Sequence, residues 1–527
     1  MRLLLPSLLA LAACAGPSGL GPLEVRERWF YSPLDLSAPK NVDKVCDLMR
    51  RGVKVGYNAV LLEDPNFGKL PLMDAAYFAG LERVKREAAA LGVRIIPALF
   101  QPGHSENFVA QDPNLAEGLP VRNAIYEVRD GIARIRPEIP VALRRERKDE
   151  NVSDDLVIRD PRGRLARVVY RARVSPFRQY HVSARCRTRD FKGTPRIVVM
   201  GGGKLLNFVW QGMRPTQDWT EVHATFNPLE ADDVRVMLGA WDGDTGEVQW
   251  ADPRIEEIGL YNLVRRGGAP LVVRAHDGTV LREGRDFEPV SDPAGLENLK
   301  RKADYEQWHE PPAIRMKRAD VRRLEVSYFH AVKMPDNGQI TVCPSEPRTM
   351  ELFRDQARRL HDIFGARGYF MSFDEIRVLN WDASCGRRAL GAAELVADAV
   401  RHCTLLLREL NPGGEIYTWS DVWDPFHNAH DNYSLVRGDL TGCWEGLDRD
   451  VIIANWYFDR REESLAWFAS RGHRQICAAY YDKMPERARD WLESARKVRG
   501  VIGILYTSWY DRYEDLEAHA RFVDDFR

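Results

Sequence analysis

The chain reads as an α/β protein, a (β/α)8 TIM barrel interrupted by an inserted antiparallel β-sandwich of jelly-roll type. Three observations predict this. Residues 26–100 alternate short apolar runs with segments of helical period. Residues 137–263 switch to short alternating strands separated by turns, and from about residue 324 the first rhythm resumes. The two outer segments supply roughly eight strand–helix units, the number that closes such a barrel.

The first sixteen residues, "MRLLLPSLLALAACAG", run from one arginine through a short apolar stretch to small residues and a cysteine. Residues 1–14 thus read as a lipoprotein-type signal peptide, with Cys14 as the lipidated residue. The other reading is a plain signal peptide with an incidental cysteine. Both predict export to the bacterial cell envelope, and the first predicts membrane contact through a lipid anchor only.

Residues 24–136 are assigned to the first part of the barrel. "WFYSPLDL" is extended, "NVDKVCDLMRRGV" has helical spacing and "YNAVLLED" is a buried-type strand. "YFAGLERVKREAAALG" is a helix stopped by glycine, and "VRIIPALF" is the next strand. The sandwich, residues 137–263, follows from "RVVYRARV", "YHVSARCRT", "RIVVMG", "WTEVHATFN" and "VRVMLGAWDGDTGEVQW", with "GDTG" as a hairpin turn. "GGGK" at 201–204 lacks the rest of a phosphate-binding loop and reads as a turn. Residues 264–320 form a strand-rich connection. Residues 321–527 complete the barrel, beginning with the strand "RLEVSYFHAV" and the helix "RTMELFRDQARRLHDIFG". "RGYFMSF", "EIYTWSD", "VIIANWYF", "QICAAYYD" and "GVIGILYTSW" are its later strands.

Lysine plus arginine (76) nearly cancels aspartate plus glutamate (77), so no net field recruits nucleic acid or anionic lipid. Fourteen tryptophans and eighteen tyrosines supply flat amphipathic faces of the kind sugars stack on. Seven cysteines beyond Cys14 lack CxxC spacing, which argues against a zinc site and leaves disulfide pairing open. Asp424, His427 and His430 in "WDPFHNAHDN" read as a hydrogen-bonded loop rather than a metal site. No metal and no cofactor are expected.

Chemistry in such a barrel sits at the C-terminal ends of the strands. There the chain offers His104, the pair Asp374-Glu375, Trp419, Asp421, Trp456, Tyr480, Asp482 and Trp509. Acids and aromatic walls with few basic groups suit an uncharged, hydroxyl-rich ligand such as an oligo- or polysaccharide. The pair lies in "YFMSFDEIRVLNW". Neighbours on a strand point to opposite faces, so both acids reach the mouth only if the strand ends and the backbone turns there. Two acids held close push their proton affinities apart, as a general acid with an ionised helper requires. The alternative is an exposed pair at the start of a loop.

The barrel segments resemble the catalytic domain of glycoside hydrolase family 20, the β-N-acetylhexosaminidases. The resemblance is carried, in order, by "VRIIPALFQPGHSE", "VCPSEPRTMELFRDQARRLHDIFGARGYFMSFDE", "YTWSD", "IIANW", "AAYYD" and "ILYTSW". The sandwich resembles carbohydrate-binding modules. Its tryptophans read either as core or as sugar platforms, and the insertion as a means of shaping the barrel mouth.

The resemblance implies that Glu375 is the general acid/base and that Asp374 orients the substrate's 2-acetamido group, which itself attacks the anomeric carbon. It implies that Tyr480 bonds the acetamido oxygen and Asp482 a ring hydroxyl, and that Trp419, Trp456 and Trp509 wall the sugar, with His104 beside the pair. The chain departs from the family pattern before the pair, where His-x-Gly-Gly is replaced by Phe370-Met371-Ser372-Phe373. It departs again where Pro-Glu-x-Asp is replaced by Pro97-Ala98-Leu99-Phe100. These departures predict rebuilt hydroxyl recognition.

The function expected is an exported, exo-acting glycoside hydrolase that removes terminal β-linked N-acetylhexosamine by substrate-assisted retaining catalysis. One alternative is a glycosidase of the same fold acting on a neutral or modified sugar, with Asp421 as nucleophile or base. The other is a non-catalytic glycan-binding lipoprotein.

Overall fold

The computed structural model of the protein describes residues 23–147, 152–162, 165–241, 245–301, 307–334 and 338–526. Cys14 and the signal segment lie outside the described residues. No helix among those described is long and apolar enough to cross a membrane.

Eight parallel strands close a barrel: β1 (Glu27–Ser32), β2 (Ala59–Leu62), β3 (Arg94–Leu99), β4 (Gly368–Met371), β5 (Glu415–Trp419), β6 (Ile452–Asn455), β7 (Gln475–Ala478) and β8 (Val501–Tyr506). The helices between them are α1 (Pro39–Lys54), α2 (Ala75–Leu91), α3 (Pro347–Phe364), α4 (Ala392–Leu410), α5 (Arg461–Ser470), α6 (Arg487–Ala495) and α7 (Leu516–Asp524). Between β5 and β6 the chain makes short 3-10 turns at Asp421–Trp423 and Cys443–Gly446 and a two-residue strand at Leu435–Val436, with no α-helix.

Side-chain alternation builds two apolar layers from one set of strands. Trp29 and Tyr31 of β1 point into the barrel with Leu61, Ile96, Phe370, Tyr417, Trp419 and Leu505. Phe30, between them in sequence, faces outward into the layer shared with Val45, Met49 and the other apolar residues of α1. The helices are held at their ends by local chemistry. Asp74 caps α2 by accepting the Tyr77 N–H, and Gly92 closes it in the left-handed conformation at φ 68°.

Between β3 and α3 the chain leaves the barrel and builds two further units. One is a sandwich of a five-stranded sheet, centred on Asp233–Ala240, and a four-stranded sheet, centred on Gln179–Lys192 and Thr245–Ile258. The other is a seven-stranded antiparallel sheet in which Arg323–His330 lies between Val272–Ala275 and Leu119–Arg129. This second unit corrects the boundaries drawn from sequence. Residues 119–135 were grouped with the barrel and "RLEVSYFHAV" was read as a barrel strand, whereas both pair with each other in the antiparallel sheet. The strand alternates buried and half-buried positions instead of being buried throughout like β4. That is the signature of a sheet with one covered face.

Candidate active site

The acid pair sits just beyond β4, which ends at Met371, three residues before Asp374. Glu375 adopts φ 47°, the left-handed region a non-glycine residue enters only under constraint. This is the turn that lets two adjacent carboxylates face one cavity.

The segment after β3 packs directly on that turn. A Cβ at Gly103 would lie 2.0 Å from the Asp374 carbonyl oxygen, so only glycine permits the approach. The approach delivers His104, whose Nε2 lies 3.2 Å from Glu375 Oε2 and 3.4 Å from Asp374 Oδ2. Arg377 donates to Glu375 Oε1 at 2.7 Å and also to the Gln339 side-chain oxygen, while Gln339 Nε2 donates to the Glu375 carbonyl at 2.9 Å. Behind the turn, Asp421 Oδ2 accepts the Glu375 N–H at 2.8 Å and the Asn428 amide at 2.7 Å. Its Oδ1 accepts the Trp456 indole N–H at 3.3 Å.

These contacts separate the two acids. Burial raises Asp374 well above the ordinary carboxylate range, with Glu63, Asp421 and Glu375 adding to the rise and the His104 charge opposing it. Burial pushes Glu375 the same way but is overcome by the His104 hydrogen bond and the Arg377 charge, leaving its pKa at about 2. His104 is raised to about 9, against its own burial, by Asp374 and Glu375. These shifts favour the proton on Asp374 and the charge on Glu375.

Both acids and His104 line a cavity of about 240 Å³ walled by Tyr31, Trp456, Trp509 and Tyr481, with Glu63 and Glu106 at its edge. Trp210, from the sandwich strand Lys204–Trp210, completes the wall, so the insertion does shape the mouth. Lys204 pins that strand to the barrel by donating to the Ser434 carbonyl at 2.9 Å.

The other sequence candidates divide sharply. Trp456 and Trp509 line the cavity. Trp419 is a barrel-core residue beneath it, packed on Phe370, Tyr31 and Trp509. Tyr480 turns away, stacking on Tyr506 at 4.1 Å and donating to Asp515 at 3.0 Å, while the next residue, Tyr481, takes the cavity position. The reason is local: β7 ends at Ala478, and beyond it alternation no longer fixes direction. Asp482 does not line the cavity either. It accepts from Ser508 Oγ and the Trp509 and Tyr510 N–H groups, fixing the loop that presents Trp509. Asp421 is wholly buried behind the turn, where it accepts the Glu375 N–H, and does not line the cavity.

Sequence reasoning missed Glu63, Arg377, Gln339 and Tyr481, and left Trp210 open as core or sugar platform. Arg377 was legible as the only cation close behind the pair. Gln339 carried no signal, because it comes from the return of the antiparallel sheet rather than from a barrel strand end.

One group among the described residues has the donors for a metal: Glu117, Cys343, Asp382 and Cys385, all buried. The loop bearing Asp424, His427 and His430 is held otherwise. Asp424 accepts from Ser464 and the Phe426 N–H, and His427 stacks on Tyr457.

No known family profile matches the chain, and no curated protein matches it. Solved structures do. A chitobiase from Flavobacterium johnsoniae is 10% identical with a TM-score of 0.40, over 94% of this chain and 47% of its own. A rhamnosidase from Novosphingobium is 11% identical with a TM-score of 0.34, over 95% and 58%. A β-N-acetylhexosaminidase is 10% identical with a TM-score of 0.42, over 94% and 71%. The chain spans about half the length of the chitobiase it matches.

Proposed function

We propose that the protein is an exported glycoside hydrolase that releases a terminal β-linked N-acetylhexosamine. The observation that carries this reading is the adjacent pair Asp374-Glu375, with His104 3.4 and 3.2 Å from its carboxylates, in a small cavity walled by three tryptophans. A volume of about 240 Å³ lies below the roughly 300–1,000 Å³ of drug-sized sites and suits one sugar ring rather than a chain, hence the exo action.

Asp374 donates its proton to the glycosidic oxygen as the bond to the leaving group breaks. Glu375, held ionised, faces the positive charge developing on the ring and the N–H of the 2-acetamido group, whose oxygen attacks the anomeric carbon. Water then opens the oxazolinium, and Asp374 takes a proton back. His104 and Arg377 keep the two carboxyl groups apart in proton affinity. Export and attachment of Cys14 to lipid belong to the same proposal. Labelled fatty acid incorporated by the wild type and lost in Cys14→Ala tests that part.

One observation favours a second reading. Tyr480, the residue implied to bond the acetamido oxygen, lies outside the cavity. An enzyme acting on a plain sugar would use ionised Glu375 as its nucleophile. Hydrolysis of paired chromogenic β-glycosides, with and without the acetamido group, separates the two. Turnover confined to the acetamido sugars supports substrate assistance, and equal turnover of plain sugars overturns it.

A further inference from the structure

The loop that begins with the acid pair ends, at Asp382 and Cys385, in a second cluster that the hydrolysis above does not use. Cys343 Sγ and Cys385 Sγ lie 3.6 Å apart, Cys343 Sγ lies 3.4 Å from Asp382 Oδ1, and Cys385 Sγ lies 3.8 Å from Glu117 Oε2. All four ligand atoms fall within 4.8 Å of one another, and all four residues are buried.

Those separations have a geometric meaning. A disulfide requires about 2.05 Å between sulfurs. A tetrahedral zinc ion with bonds of about 2.3 Å to sulfur and about 2.0 Å to oxygen has sulfur–sulfur edges of roughly 3.8 Å and sulfur–oxygen edges of roughly 3.5 Å. The three short contacts match those edges. Among the described residues the group offers two thiols and two carboxylates, four donors of types that zinc takes.

We propose that Glu117, Cys343, Asp382 and Cys385 bind one structural zinc ion that staples three segments of the barrel mouth together. The ligands come from the chain after β3, the return from the antiparallel sheet, and the loop after β4. These same segments carry His104, Gln339 and the Asp374–Arg377 turn.

The surroundings accommodate the ion. Arg266 pairs with the other Asp382 oxygen, Oδ2, and with Glu346, which leaves Oδ1 toward Cys343. Oδ1 also accepts the Ser384 and Cys385 N–H groups at 2.9 and 3.1 Å, and Glu117 Oε1 accepts the Trp381 and Asp382 N–H groups at 2.8 and 3.3 Å. Both carboxylates are thereby fixed in orientation, as metal-ligating carboxylates are. Cys385 Sγ additionally lies 3.3 Å from Ser345 Oγ. Zinc binding would release to solvent whatever protons the ligand atoms carry, with no electron transferred.

The test uses the full exported chain, purified without chelator. Elemental analysis should find stoichiometric zinc. Cobalt exchanged into the protein should give intense sulfur-to-metal charge-transfer bands, absent from Cys343→Ser/Cys385→Ser. Glu117→Gln, which keeps both sulfurs, should retain the fold by circular dichroism and bind zinc at least about 10–100-fold more weakly. Absence of zinc together with no cobalt bands overturns the proposal. So does mass spectrometry showing Cys343 joined to Cys385 by a disulfide.

Discussion

The loop running from Asp374 to Cys385 carries an acidic cluster at each end, and the two are opposites. At its start the carboxylates are partly open to a cavity, with side-chain exposures of 15% for Asp374 and 22% for Glu375. At its end Asp382 is sealed, with a side-chain exposure of 0%. An open cluster can be met by a ligand through the cavity that both acids line. A sealed cluster must be met from inside the protein, by Arg266, by protons, or by a cation. On the readings proposed above, the same residue type serves chemistry at one end and cohesion at the other, and solvent access decides which.

Substitutions that distinguish the ends should have very different readouts. Glu375→Gln removes the ionised helper and should lower kcat by about 10²–10⁴-fold on whichever glycoside the wild type cleaves, and should also lower the melting transition at neutral pH, because the pairs with His104 and Arg377 are lost. A comparable loss in Asp374→Asn is expected on unactivated glycosides. A smaller loss is expected on substrates with a good leaving group, which need less proton donation. Equal losses on both classes would sink the assignment of Asp374 as the acid.

Trp419→Ala, by contrast, acts on the core beneath the site. It should cost about 3–5 kcal/mol in chemical denaturation. Trp509→Ala, on the wall, should instead raise KM by roughly 5–10-fold, the equivalent of about 1–1.4 kcal/mol, with most of the stability kept.

The pH dependence sharpens the contrast further. Glu375 titrates at about 2 in the folded protein against an ordinary 4.5, so its contribution to stability is present above 4.5 and lost as the pH falls through 2. His104 is raised from 6.5 to about 9, so its contribution is complete below 6.5 and lost as the pH rises through 9. In His104→Gln the alkaline loss should disappear and the acid limb of kcat/KM should move upward from 2, because Glu375 has lost a stabilising donor. An unchanged acid limb would show that His104 does not set the Glu375 proton affinity. The smallest effect is expected for Trp210→Ala in the sandwich, a rise in KM of about 2–5-fold with kcat unchanged.

Much of this was legible in the residues. Apolar runs bounded by helical-period segments identified every barrel strand, because a strand covered on both faces has no polar option. The adjacent acids in "FMSFDE" marked the site, because two carboxylates at a strand end are costly unless something uses them. The extra strand at Arg323–His330 was misplaced because an apolar alternating run fits a barrel or an antiparallel sheet equally well, and only pairing distinguishes them. Tyr480 was misdirected for a related reason: past the end of β7 the backbone, not the alternation, aims the side chain.

By itself, the sequence determined the barrel, the inserted β-rich segment and the position of the acid pair, since periodicity and strand-end polarity are local properties of the chain. Tertiary structure alone decided which acid keeps its proton, which tyrosine meets the cavity, and that Cys343 meets Cys385 with Glu117 and Asp382 around them. Those outcomes depend on partners hundreds of residues away, such as Glu117 beneath Trp381 and His104 beside Glu375, and on the desolvation that only the packed interior imposes.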